Sequence, residues 1–470
     1  MKIIIVGAGR VGSSVAESLV SEANDITVVD SDPARIADLQ DRFDLRGIVG
    51  NAALPSTLKQ AGADDSDMLI AVTAYDETNL VACKVAADLF NVPTRIARVR
   101  NVELQQHPKL IGEEGFRASH VIFPEQTVTD TLLSLIEFPE ALQVLDFADG
   151  RASLIAVRAF AGGPLVSHPV KELRRHLPNV DARIVAMFRD EASVRVDGDT
   201  QIQPGDEVFF LAASQNIRTV MGELRRMDKP VRRVIIAGGG NIGRRVARAL
   251  DTGEGLEISE KFVVKIIEAD KRRSEQLAQQ LSSDVLVLHG DTTDEDLLLQ
   301  EGVHEADLFI ALTNDDENNI MSALLAKRMG ARRVIALINR KSYGDLMQGG
   351  QIDVAISPSY VTLSALLKFV RRGDVVAAHS LRRGAAEALE IVAHGDARTS
   401  RVIGKSIEQI ELPRGVTIGA VVRGGGARAN VLMAHHDTVI EPEDHLIVFV
   451  ENKRLIQRVE RLFTVGVGFF

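Results

Sequence analysis

The stretch that decides the fold is KIIIVGAGRVGSSVAESL, residues 2–19. Its opening apolar run, Lys2–Val6, reads as a strand, and the glycines that follow open an amphipathic helix. Each glycine has its own physical duty. Gly7 allows a tight turn, and Gly9 lets the backbone approach a pyrophosphate whose charge the helix N-terminus favours. Gly12 permits close helix–strand packing. Asp30 closes the next predicted strand, 30 − 12 = 18 residues beyond Gly12, where a carboxylate suits hydrogen bonds from an adenine-side ribose. Such a glycine run is weak evidence by itself. With strand, helix and terminal acid in place it predicts a nucleotide cradle, against the plainer reading of a tight turn without ligand. The acid disfavours a 2′-phosphate, so NAD(H) is expected over NADP(H). The ribose of ATP or ADP suits the same acid equally well.

The motif recurs. GAGRVG at 7–12 returns as GGGNIG at 238–243, and ITVVD ending at Asp30 returns as VKIIE ending at Glu268. Gly50-Asn51 returns as Gly290-Asp291, and AVTAYDETN at 71–79 as ALTNDDENN at 311–319. The offset grows from 231 through 238 to 240, which is a duplication with small insertions; polar residues at 252–260 absorb most of the early drift. A second pair of repeats follows the first: DARIVAMFR at 181–189 with GVTIGAVVR at 415–423, and IQPGDEVFFL at 202–211 with IEPEDHLIVF at 440–449. The layout is large, small, large, small. A polar stretch from Arg225 to Arg233 with Pro230 inside it reads as the linker between copies.

In the first large unit, apolar runs at 2–6, 26–30, 45–49, 68–73, 94–99 and 120–123 alternate with helical patterns, among them 77–90 and 126–136. Strand–helix alternation implies right-handed crossovers and a parallel sheet covered on both faces. The expected class is α/β: two tandem Rossmann-like, doubly wound parallel-sheet domains, each followed by a small α+β domain. The expected boundaries are 1–124, 143–227, 231–353 and 373–457.

Composition narrows the function. At about 150 residues per domain, 470 residues suit two to four domains, and 45% hydrophobic content is enough for more than one core. Lys plus Arg is 55 and Asp plus Glu is 65, so the net charge is 55 − 65 = −10. That balance lacks the basic footprint of nucleic-acid binding, so no nucleic-acid partner is expected. One cysteine, Cys83, excludes an internal disulfide framework or a Cys-rich zinc site. The most apolar stretch, 354–370, is interrupted by Pro358 and charged at Lys368, so no membrane span is expected. The glycine motif beginning at residue 7 leaves no room for a signal peptide, and the expectation is a soluble intracellular protein.

Further candidate ligand contacts follow from topology. Thr73-Ala74 and Thr313-Asn314 are read as the ends of the fourth strands, which face the ligand crevice of a doubly wound sheet; the plainer role is capping of the next helix. Arg98 lies on the fifth strand, where it could reach a phosphate, and its aligned position is Leu337. Non-equivalent sites are therefore expected, the bland reading being that Arg98 is a surface ion-pair residue. The second cradle is read at Gly238, Gly240 and Gly243 with Glu268 as the acid.

No general acid, base or nucleophile occurs in both copies. His435-His436 is adjacent rather than at helical ligand spacing, Cys83 has no activating partner, and no Gly-Lys-Ser/Thr phosphate loop is present. No metal is expected. Two nucleotide folds without a reaction centre suggest sensing, in which a ligand shifts an equilibrium by its differential affinity for two states. The competing reading is an NAD-dependent oxidoreductase.

Long stretches add a family resemblance. MKIIIVGAGRVG, NDITVVD, DMLIAVT with DETN, GGPLV, RRVIIAGGGNIG, FIALTN, IMSALLAKRMGA, QGGQIDVAISP, SLRRGAAEALE, TIGAVVRG and VERLF resemble the TrkA family, the peripheral subunits of bacterial Trk potassium-uptake systems, over essentially the whole chain. The large units look like regulator-of-potassium-conductance (RCK) N-terminal domains and the small ones like TrkA C-terminal domains. The resemblance implies a nonenzymatic gating subunit, cytoplasmic and peripheral on the inner membrane. It implies homodimers that form a four-lobed ring beneath a membrane-embedded Trk potassium-translocating subunit, and binding of NAD(H) and, in some members, ATP or ADP. Carried over by position, site one is Gly7, Ala8, Gly9, Arg10, Val11, Asp30, Thr73, Ala74 and Arg98. Site two is Gly238, Gly239, Gly240, Asn241, Ile242, Glu268 and Asn314. Apolar helices at 128–138 and 363–370 offer faces for lobe–lobe packing, and the tail 463–470, with three Phe and no charge, offers a docking segment or a disordered end.

Overall fold

The computed structural model describes every residue except 23, 191, 226–228, 257–260, 341, 344–350, 372–373, 383–384, 425–429 and 466–470. Part of the linker, the end of the polar insertion at 252–260 and the last residues of the Phe-rich tail lie outside the described residues, as do parts of the QGGQIDVAISP and SLRRGAAEALE stretches.

The first large sheet contains β1 (Lys2–Val6), β2 (Asp25–Asp30), β3 (Arg46–Val49), β4 (Met68–Ala71), β5 (Thr94–Arg98) and β6 (His120–Ile122). All neighbours run parallel in the order β3-β2-β1-β4-β5-β6. Ile3, Ile4, Ile5 and Val6 are all buried, as a strand with helices on both faces requires. The strand order reverses between β1 and β4, so a crevice opens beyond their carboxyl ends, where the glycine turn and Thr73 lie.

The first small sheet contains β7 (Ala141–Phe147), β8 (Ala152–Arg158), β9 (Ala182–Arg189), β10 (Ala192–Val194) and β11 (Glu207–Ala213), in the order β10-β9-β11-β8-β7 with antiparallel pairs. The second large sheet repeats the first: β12 (Arg233–Ala237), β13 (Val263–Glu268), β14 (Val285–His289), β15 (Leu308–Ala311), β16 (Arg333–Leu337) and β17 (Val354–Ile356), ordered β14-β13-β12-β15-β16-β17. The second small sheet holds β18 (Val375–Leu381), β19 (Ala386–Val392), β20 (Val416–Arg423), β21 (Asn430–Met433) and β22 (His445–Val450), ordered β18-β19-β22-β20-β21. Both small sheets carry the same pin. Arg189 is bidentate on buried Asp206 at 2.8 Å and 2.8 Å, and Arg423 on buried Asp444 at 2.9 Å and 2.9 Å. These aspartates also accept the backbone N–H of Gln203 and Glu441, so the PGD and PED turns are locked by charge as well as by proline.

The chain divides into two compact units that do not follow its repeats. One holds residues 1–128, 358–370 and 380–385; the other holds 129–357, 371–379 and 386–470. Within the first unit, the helix Pro358–Val370 of the second copy packs on the helix Arg10–Val20 of the first. Leu363, Leu366, Leu367 and Val370 are buried there, on the order of 6–12 kcal/mol of gross apolar burial. Within the second unit, buried Arg333 of β16 donates to the carbonyls of Leu135 (3.1 Å) and Ala141 (2.6 Å), at the end of the helix Pro124–Glu137 and the start of β7. The helix leaving each large sheet thus ends up packed with the other copy, and the apolar faces at 128–138 and 363–370 find partners inside the chain.

Within the second unit, β9 and β11 of the first small sheet pack against β20 and β21 of the second. A Cβ at Gly419 would stand 2.8 Å from both Leu211 Cδ2 and Val185 Cγ1. Val185 and Gly419 are the same position of the repeat, so the pseudo-symmetric contact leaves room for one side chain only. No described helix is long and apolar enough to cross a membrane.

Candidate functional site

The first glycine turn is built by three different constraints. Gly7 holds φ +105°, and a Cβ there would meet Thr73 N at 3.0 Å. A Cβ on Gly12 would fall 1.8 Å from the carbonyl oxygen of Gly7. The expected helix–strand contact at Gly12 is therefore mainly a contact of the helix with its own preceding turn. Gly9 differs from both: it is the N-cap of the helix Arg10–Val20, it provides no side-chain cap, and a Cβ there would meet nothing within 4 Å. The helix N-terminus consequently faces open space with its first N–H groups unused by the helix itself. Ala8 and Val11 are buried beside it and Arg10 is exposed.

Asp30 has a duty that sequence reasoning missed. Its Oδ2 accepts the N–H of Ala8 at 2.6 Å and its Oδ1 the N–H of Asp32 at 2.9 Å. Arg35 Nη1 lies 4.0 Å away. The acid therefore ties the glycine turn to the end of β2. Each carboxylate oxygen retains a second lone-pair direction, so acceptance from ribose hydroxyls stays available.

Thr73 and Ala74 lie beyond β4, which ends at Ala71; the strand is two residues shorter than expected. Capping is also not the role of Thr73, because the helix Asp76–Phe90 has Tyr75 as its N-cap with no side-chain cap. Thr73 is instead held by Asn79. Its N–H and Oγ1 donate to Asn79 Oδ1 at 2.9 Å and 2.7 Å, while Asn79 Nδ2 donates to the carbonyls of Thr73 (3.2 Å) and Arg98 (2.9 Å). Asn79 is fully buried and joins the ends of β4 and β5. Asp76 completes the clamp by accepting the N–H groups of Arg100 and Asn101. Ala74 is exposed.

Arg98 ends β5, two strands from β1 on the same sheet edge. Its Nε is buried and unbonded, and among the described residues its guanidinium forms no ion pair, so the surface ion-pair reading does not hold. Burial pushes the guanidinium below its ordinary range, Arg100 adds to that, and Glu125 and Asp76 oppose it. A half-buried guanidinium with no direct partner, on the sheet edge that also carries the glycine turn, is a candidate contact for an anion. Neighbouring Arg100 is engaged, its Nε 2.6 Å from Oε1 of buried Glu125.

The second cradle repeats this backbone. Gly238 holds φ +104°, a Cβ on Gly243 would stand 2.0 Å from Gly238 O, and one on Gly240 would meet nothing. Glu268 Oε2 accepts the N–H of Gly239 at 2.8 Å, Oε1 accepts that of Asp270 at 2.9 Å, and Arg273 lies 3.5 Å from Oε1. Asn319 holds Thr313 and the carbonyl of Leu337, and Asp316 accepts the N–H of Asn339 and Arg340. β15 likewise ends at Ala311, short of Thr313-Asn314; Asn241 and Asn314 are exposed and Ile242 half-buried. Here Asp315 does cap the following helix through Asn318 N–H.

The differences are local. Leu337 is buried where Arg98 stands in the first copy. Gly239 replaces Ala8, and a Cβ there would meet Leu277 Cδ1 at 2.2 Å. The Asp-x-x-Asn clamp was visible in the sequence as the repeated DETN and DENN, and its recurrence was the signal that both polar residues hold the backbone.

Cys83 takes a structural role. Cys83 is buried, and burial pushes its thiol up to about 12. Its partners are apolar side chains of the first core. His435 is engaged by Arg174, with Nη2 2.5 Å from Nε2. Among the described residues no group of three or more His, Cys, Asp or Glu is arranged to hold a metal.

Known proteins resemble this chain in sequence and in fold. Residues 3–124 and 234–358 match the TrkA-N domain, and residues 154–225 and 397–464 the TrkA-C domain. The Trk system potassium uptake protein TrkA of Halomonas elongata is 53% identical over 470 residues, 100% of both chains. Its namesake in Vibrio alginolyticus is 51% identical over 464 residues, 98% of each. Among solved structures, the GsuK RCK domain superposes with a TM-score of 0.59 at 18% identity, covering 98% of this chain and 95% of that one. The GsuK channel bound to NAD gives 0.59 at 17%, covering 98% and 79%. At that identity the likeness speaks to the fold alone.

Proposed function

The chain belongs to the TrkA family, and from that premise we propose that it is the nucleotide-binding regulatory subunit of a Trk-type potassium-uptake system. It performs no bond-making chemistry. It binds NAD(H), and ATP or ADP at the same cradles, and passes the resulting change of shape to a membrane-embedded Trk potassium-translocating subunit. It works on the cytoplasmic face of the membrane as homodimers that complete a four-lobed ring.

Site one is Gly7, Ala8, Gly9, Arg10, Val11, Asp30, Thr73, Ala74 and Arg98. Site two is Gly238, Gly239, Gly240, Asn241, Ile242, Glu268 and Asn314. The observation that carries the reading is Arg98: a half-buried guanidinium, its Nε buried without a hydrogen bond, on the sheet edge that also presents the open N-terminus at Gly9. A pyrophosphate between them satisfies both at once. Asp30 and Glu268 shape the glycine turns and still have acceptor capacity for a ribose.

Potassium flux through the reconstituted complex, titrated with NADH, NAD, ATP and ADP, tests the proposal. Gly9→Asp adds a carboxylate into open space, so the fold survives while nucleotide binding at site one is lost. Calorimetry showing undiminished binding to that variant, or flux indifferent to every nucleotide, would overturn the assignment.

A further inference from the structure

The His435-His436 pair is absorbed by none of the above, and the side chains around it have an unusual balance of charge. Arg183 of β9 is paired with Leu211 of β11, so the two side chains share a sheet face. Leu211 reaches the second small sheet at Gly419, and that face therefore looks toward the other copy. Among the described residues the Arg183 guanidinium makes no hydrogen bond and no ion pair. Burial alone pushes its guanidinium below the ordinary range, with no carboxylate offsetting the effect. From the same copy, exposed Arg174 points Nη2 at the His435 ring, 2.5 Å from Nε2 and 3.2 Å from Nδ1. His435 sits in the field of both arginines, and burial followed by Arg174 pushes its imidazole below the ordinary range.

Two carboxylates stand nearby. Asp181 has one oxygen committed to the N–H of Met433 at 3.0 Å and the other 3.8 Å from His435 Nε2; Asp437 is exposed. Neither pairs with an arginine. The cluster also occurs once rather than twice, because the repeat position of Arg183 is Thr417.

We propose that Arg183, Arg174 and His435 form an oxyanion site at the junction of the two small sheets, built for a phosphoryl group. A single carboxylate would satisfy one guanidinium fork, whereas two forks arriving from different elements, with an imidazole against one of them, match the several oxygens of a tetrahedral phosphoryl group. The ligand supplies the counter-charge that Arg183 lacks, and in doing so it pins one copy's small sheet to the other's. The group arrives either as free phosphate or attached to a phosphorylated metabolite.

The test uses the full chain with both cradles blocked by Gly9→Asp and Gly240→Asp, positions where a side chain meets nothing. Inorganic phosphate should give saturable heat by calorimetry, one site per chain, and raise Tm. Arg183→Leu should abolish the heat and the phosphate-dependent shift, and should raise the Tm of the free protein because an uncompensated charge is gone. Arg174→Gln, on an exposed side chain, should weaken binding at least tenfold and serves if Arg183→Leu fails to fold. ADP binding to the blocked protein without a phosphate response, but sensitive to Arg174→Gln, assigns the site to a phosphorylated metabolite and supports the proposal. No saturable response to either ligand overturns it, as does a response that both variants leave unchanged.

Discussion

The two large domains have the same glycine turn and different charges around it. In both, the turn is closed by an acid at the end of the second strand, Asp30 or Glu268, and the fourth and fifth strands are joined by a buried asparagine, Asn79 or Asn319. These groups satisfy backbone N–H and C=O groups, and a change in one would leave buried donors or acceptors unpaired. Around this frame the copies part. Arg98 becomes Leu337, Arg100 becomes Asn339, and Cys83 becomes Ala323. The pair teaches that the backbone of such a cradle is held by internal hydrogen bonds, while the charge presented to a ligand varies independently.

The strongest challenge to that comparison is steric. Gly12→Val and Gly243→Val each drive a Cβ into a carbonyl oxygen, at 1.8 Å and 2.0 Å. Each should cost about 3 kcal/mol or more, read from the denaturant midpoint. If only one copy suffers, the frames are not equivalent. Next comes the clamp. Asn79→Ala or Asn319→Ala leaves a threonine N–H and a strand-end carbonyl without their side-chain partner, and should cost roughly 2–3 kcal/mol in either copy. Hydrogen exchange at Thr73 or Thr313 should accelerate in the matching lobe only.

A smaller and asymmetric effect is expected at the fifth strand. Arg98→Leu makes the first cradle resemble the second, so it should weaken ADP or NADH binding about tenfold, equivalent to losing roughly 1.5 kcal/mol from a charged hydrogen bond. The free protein should become slightly more stable as a half-buried charge without a direct partner disappears. Calorimetry and thermal melts on the same sample check both halves, and a Leu at 98 that binds as tightly as Arg refutes the claimed asymmetry. The smallest effect belongs to Cys83. Its folded thiol titrates at about 12 against an ordinary 9.0. The unfolded chain thus loses its proton first, and stability that is intact below 9.0 declines as pH rises toward 12. Cys83→Ala, which copies Ala323, should remove that slope, and native protein should resist thiol reagents at pH 8.

Much of the cradle was legible because its determinants are local. A buried parallel strand shows as an unbroken apolar run, a positive φ calls for glycine, and duplication marks which residues recur. The limits of β4 and β15 were misjudged by two residues because Val72 and Leu312 stay apolar and buried after the ladder has ended. Thr73 and Thr313 were read as strand ends or caps, yet Asn79 and Asn319, six residues on, are what hold them.

By itself, the amino-acid order determined the two parallel sheets, the glycine turns and the contrast of Arg98 with Leu337. Tertiary structure alone decided that Asp30 and Glu268 brace those turns, that Arg98 makes no direct ion pair among the described residues, that strand order places β1 beside β4, and that the helices Pro124–Glu137 and Pro358–Val370 each pack with the opposite copy. The physical reason is range. Periodicity and backbone preference act over a few residues, whereas the partner of a carboxylate, the loneliness of a buried charge and the surface that covers an apolar helix depend on groups tens or hundreds of residues away.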